Sequence, residues 1–150
     1  MSTTHGEIVL DSKKATTRFG YGVAIFVNLA MLVIVQNILA WGWLPFLTQD
    51  FAEVVPWITL SLVFSIAANL VYLANDTPRV KSAGQILTNL ISIYVTYRLL
   101  VVFPFDFSSY AFNWAVVVRV VLILAMVGAA IAAVTETVKL VSGKNIDERR

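Results

Sequence analysis

Long apolar runs dominate the chain, separated by short segments in which polar residues, prolines and aspartates cluster. The runs cover residues 20–44, 54–74, 84–103 and 112–138, each near or above the ~20 residues that carry a helix across ~30 Å of hydrocarbon. Backbone groups in lipid must be bonded within their own segment, so such runs predict helices. The expected fold is all-α: a polytopic membrane protein in which residues 19–141 form a four-transmembrane-helix bundle. Residues 1–18 are expected as a polar tail retained in the protein, because they lack the short apolar core and small-residue cleavage site of a signal peptide. Residues 142–150 are expected as a second tail.

The polar positions inside the spans fall on faces. Ser61, Ser65 and Asn69 recur every four residues in the second span, and Gln85, Thr88, Asn89, Ser92 and Thr96 line one side of the third. Such stripes turn from lipid and are expected to bond across to neighbouring helices, or, on a functional reading, to line a path for a solute. Asn28 of the first span could join that seam. In the fourth span Ala125, Ala129 and Ala133 stack at i, i+4 and i+8 beside Gly128 and Ala132. That small-residue surface allows another helix to approach closely, within this chain or from a partner.

The segments between spans carry the turn chemistry. Pro45-Phe46 is followed by Asp50-Phe51, and Pro104-Phe105 by Asp106-Phe107, so the two tips resemble each other and suggest a repeated hairpin. Proline is expected to end each rising helix. Asp50 with Glu53 has the form of a capping box, predicting a short helical turn before Pro56. Asn75-Asp76-Thr77-Pro78 reads as the turn between the two hairpins.

Charge then orients the chain. Every Lys and Arg except Arg98 and Arg119 falls in the tails, at the cytoplasmic end of the last span or in the 75–84 loop, whereas the other two loops hold only Asp50, Glu53 and Asp106. Basic residues resist translocation, so both termini are expected in the cytoplasm and the two acidic, aromatic tips outside. Trp41, Trp43, Trp57 and Trp114 all lie near those tips, as an interfacial belt or a binding rim. A mean hydropathy of +0.80, with 59% hydrophobic residues, leaves no length for a soluble domain.

Composition removes several chemistries. There is no cysteine, and His5 in the tail is the single histidine, so disulfides, thiol nucleophiles, intramembrane haem ligation and a histidine metal site have no residues to use. No carboxylate sits mid-span, since Glu136 belongs to the last turns of the fourth run. A proton relay needs such a group, and arginine does not titrate. No catalytic residue, metal, cofactor or nucleic-acid partner is expected; membrane lipids and other membrane subunits are.

Arg98 and Arg119 stand out because both sit inside apolar runs at matching distances from the outer tips. Snorkelling to phosphates, or pairing with Asp50, Glu53 or Asp106, would satisfy them structurally. Two guanidiniums at one depth would alternatively form a site for an anionic head group.

The pattern GWLPFLTQDF, then Asn69 and Tyr72, then VFPFDF followed by Trp114 and Arg119, resembles small four-span membrane proteins of actinobacteria. Proteins of that size are similar to accessory subunits attached to larger transport or respiratory assemblies, among them the mammalian-cell-entry lipid importers of mycobacteria. The resemblance implies a bacterial inner-membrane location and no activity of its own. The resulting expectation is a non-catalytic accessory subunit of a larger inner-membrane complex, such as a lipid transporter. The alternatives are a lipid- or amphiphile-binding protein with an outer-leaflet site at Arg98 and Arg119, and a homo-oligomeric channel.

Overall fold

A computed structural model describes residues 2–143; the basic residues Lys144, Arg149 and Arg150 lie outside that range. Four helices account for most of it: α1 (Ser2–Trp41), α2 (Val55–Ala74), α3 (Pro78–Val102) and α4 (Trp114–Ser142), with a short 3₁₀ turn at Gln49–Glu53. All four are long and apolar enough to cross a membrane, the architecture of a multi-pass membrane protein.

The ends of the helices differ from the apolar runs for local reasons. α1 stops at Trp41, short of Pro45, because Gly42 takes the left-handed conformation (φ 61°) and donates its N–H to the Ile38 carbonyl at 3.3 Å; glycine adopts that cap without a Cβ penalty. α3 begins six residues before the expected 84, because Pro78 supplies the fixed φ of a first-turn residue and Thr77 is extended before it. Residues 2–18 continue α1 without a break. At 1.5 Å per residue α1 is about 60 Å long, and its part before Tyr21 projects roughly 28 Å past the α2–α3 turn.

Neighbours in sequence are neighbours in space. α1 packs on α2 and α3 on α4, with a sparser contact between α2 and α3 joining the two hairpins; α1 and α4 share no extensive contact. The helices therefore make an open row, not a closed ring. The accessible surface of 10146 Å² exceeds the ~7,600 Å² of a compact monomer of this mass, and large side chains such as Phe26, Leu124 and Ile131 face outward along the spans.

The stripe residues of α2 and α3 are half-buried except Gln85, which is exposed, and their bonds differ from the expectation. Asn69 donates to the Ser65 carbonyl (2.7 Å), Thr88 to Gly84 (2.8 Å), Thr96 to Ser92 (2.8 Å) and Asn28 to Ala24 (2.7 Å). The i−4 carbonyl of the same helix is always within reach, so a side chain of this kind is satisfied before any second helix arrives. Gln36 of α1 does reach across, donating to the Thr59 hydroxyl of α2 at 2.7 Å.

Candidate functional site

Two clusters, at opposite ends of the row, hold the polar chemistry. At the end of the Asp76 turn, side chains from all four helices meet. Tyr21 of α1 donates to Asp76 at 2.7 Å, and Lys81 of α3 pairs with the same carboxylate at 3.3 Å while lying over the Tyr21 ring. Burial pushes the Asp76 carboxyl up, but the hydrogen bonds from Tyr21 and Lys81 and the positive charges of Lys81 and Arg18 outweigh it and hold it below the usual carboxylate range. Tyr72 of α2, buried, packs its ring 5.5 Å from that of Tyr21 and reaches over Gly84, where any Cβ would collide with it. Ser82 of α3 donates to Glu136 of α4 at 2.9 Å, and Lys139 closes on the same carboxylate at 2.9 Å. Sequence reading placed Asp76 and Glu136 near this end but missed the knot, because its members are scattered from 21 to 139 and no spacing links them.

At the opposite end the two hairpin tips join. Leu47 and Phe105 form an antiparallel bridge: Thr48 N–H donates to the Pro104 carbonyl at 3.0 Å and Asp106 N–H to the Phe46 carbonyl at 2.7 Å. The tips that resemble each other in sequence are thus paired. Pro104 and Val54 are fully buried beneath the bridge, with Phe51 beside them. The Phe107 ring stacks on those of Phe46 and Phe105 at 5.3 and 6.1 Å, and Phe46 and Phe105 meet tilted at 6.5 Å. All four tryptophans lie at this end; Trp41 stacks on Trp43 at 4.5 Å, Trp57 meets Tyr94 edge-on at 4.8 Å and Trp114 packs against Phe112 at 5.2 Å.

The arginines sit at similar depths, about 6 Å (Arg98) and 7.5 Å (Arg119) from the nearer helix end at 1.5 Å per residue, but they have different neighbours. Arg98, half-buried, makes a loose pair with Glu53 at 3.9 Å, and its buried Nε has no partner. Glu53 belongs to the expected 3₁₀ turn, which forms without a side-chain cap. Arg119 is exposed and lies over the Phe103 ring, 4.4 Å from its centre. Phe103 is itself unusual: it follows the end of α3 in the left-handed region at φ 41°, a conformation costing a non-glycine residue of order 1 kcal/mol and found where surroundings hold it.

Phe103, Arg119, Asp106, Phe107 and Tyr110 are among the residues lining a cavity of about 480 Å³. Next to it, Phe46, Phe105, Phe107, Tyr110, Trp114 and Val118 line an apolar cavity of about 380 Å³. Arg98 lines neither. Asp106 is fully exposed, and the Ser108 backbone N–H (2.9 Å) and hydroxyl hold its carboxyl below the usual range. Asp50 accepts a long bond from Thr48 at 3.5 Å.

The small residues of α4 differ in burial along one side of the helix. Ala133 is buried and Ala129 and Ala132 are half-buried, whereas Ala125 is exposed and Gly128 has open space where a Cβ would stand. No group of three or more His, Asp or Glu among the described residues could hold a metal ion. No family model, curated protein or solved structure matches this chain.

Proposed function

We propose that the protein is a non-catalytic subunit of a larger membrane assembly of the bacterial inner membrane, a lipid transporter being the favoured host, with both termini in the cytoplasm. The observation that carries this reading is the open row. α1 and α4 each pack extensively along one side and leave the other without a helix of this chain. Close packing between helices in lipid depends on small side chains, and α4 keeps Ala125 and Gly128 exposed. Meanwhile the helices are fastened at one end by a polar knot and at the other by backbone bonds, which suits a scaffold more than a moving carrier.

Purification from native membranes in mild detergent, followed by mass spectrometry of the intact particle, tests the proposal. A foreign membrane subunit at fixed stoichiometry is expected. Gly128→Leu is expected to release that subunit while the helical content stays unchanged. A lone monomer in mild detergent, or a particle containing copies of this chain alone, would contradict it.

A further inference from the structure

We infer that the joined hairpin tips hold one phospholipid of zwitterionic, amine-bearing head group, with its phosphate at Arg119, its ammonium toward Asp106 and the start of an acyl chain in the adjoining apolar cavity. This holds whether or not a partner docks on α4.

The argument starts with an unpaired charge. Among the described residues Arg119 has no carboxylate partner, although it lies inside an apolar helix at a depth where an uncompensated guanidinium is costly. Its guanidinium lies over the Phe103 ring, 4.4 Å from its centre. An arginine held by its face on an aromatic ring still has its planar fork of N–H donors, which matches the geometry of phosphate oxygens. Phe103 occupies that place in a strained left-handed conformation, so the fold maintains the platform at some cost.

The second charge fixes the kind of head group. Asp106 lines the same cavity as Arg119, so the cavity wall carries one cation and one anion that do not pair with each other. A head group that is only anionic would meet the Asp106 carboxylate with like charge, whereas a phosphate linked to an ammonium complements both. The Asp106 loop is held in place by its own turn bond to Ser108 and by the backbone bond to Phe46. The third feature is the apolar cavity, which shares Phe105, Phe107 and Tyr110 with the first and extends along α4 past Trp114 to Val118. Both volumes fall in the range of small-molecule sites, about 300–1,000 Å³.

The test is native mass spectrometry of purified protein delipidated and then offered equal amounts of phosphatidylethanolamine and phosphatidylglycerol. Wild type is expected to retain one molecule with preference for the ethanolamine lipid. Arg119→Gln should weaken retention of both lipids by about tenfold, the scale of one lost charge-assisted bond. Arg119→Lys, which keeps the charge, should restore part of it and covers the case in which the glutamine variant fails to fold. Asp106→Asn, on an exposed loop, should bind with the preference moved toward phosphatidylglycerol. Equal retention of the two lipids by wild type, unchanged retention in Arg119→Gln, or an unmoved preference in Asp106→Asn would overturn the assignment.

Discussion

Among single residues, Gly84 has the clearest obligation. The Tyr72 ring lies where a side chain at 84 would go, with Cζ 2.8 Å and Cε1 3.0 Å from an added Cβ. An aromatic ring has no flexible tip to bend aside, so Tyr72 would have to leave the Tyr21–Asp76–Lys81 knot. Gly84→Ala is therefore expected to destabilise the fold by about 1–3 kcal/mol, the usual penalty of overpacking. The loss should largely vanish in a Tyr72→Ala background, which a double-mutant cycle of unfolding in detergent would measure; equal losses in both backgrounds would place the effect elsewhere. Gly84 is invisible as a special residue in sequence, where it simply opens an apolar run. Arg98 and Arg119 were conspicuous there, since charges in such runs are rare. Glu53 was among the acidic residues offered as partners, and Arg98 lies 3.9 Å from it; Phe103 was not, because the loop conformation that brings its ring under Arg119 is encoded by no spacing.

The helices themselves were legible, and for a plain reason: a run of about 20 apolar residues has one economical conformation in lipid. Their ends were less so. Gly42 overrode the expected stop at Pro45, and Pro78 opened α3 within a segment that looked like a basic loop. The facing of the polar stripes was readable from their period, but their bonding was not, because Asn69, Thr88 and Thr96 have an equally good acceptor one turn back in their own helix. Joining of the tips depends instead on backbone groups. Thr48 has an extended backbone with φ −88°, so Thr48→Pro removes the N–H that bonds Pro104, together with the long hydroxyl bond to Asp50, at the cost of a modest shift in φ. It should lower stability by about 0.5–1.5 kcal/mol, as for one hydrogen bond, and thermal unfolding followed by circular dichroism would register it. No shift would mean that the bridge does not couple the two hairpins.

For the whole molecule, the open row, the projecting start of α1 and the two fastened ends make sense together only if the apolar flanks meet lipid or another helix, and if the Asp76 turn and the tips face opposite sides of one bilayer. The proposed direction rests on the charge pattern: Lys13, Lys14, Arg18, Arg79, Lys81 and Lys139 sit toward one end and Asp50, Glu53 and Asp106 toward the other. That crossing pattern underlies both the proposed docking face and the lipid site. The chain contains no cysteine, which makes single introduced thiols unambiguous reporters. The most direct measurement is labelling of intact cells by a membrane-impermeant maleimide, with Asp50→Cys, Ser108→Cys and Thr77→Cys in separate proteins. Cysteines at 50 and 108 are predicted to react from outside and the one at 77 only after the cells are opened; labelling of 77 in intact cells, or protection of either tip, would contradict the account.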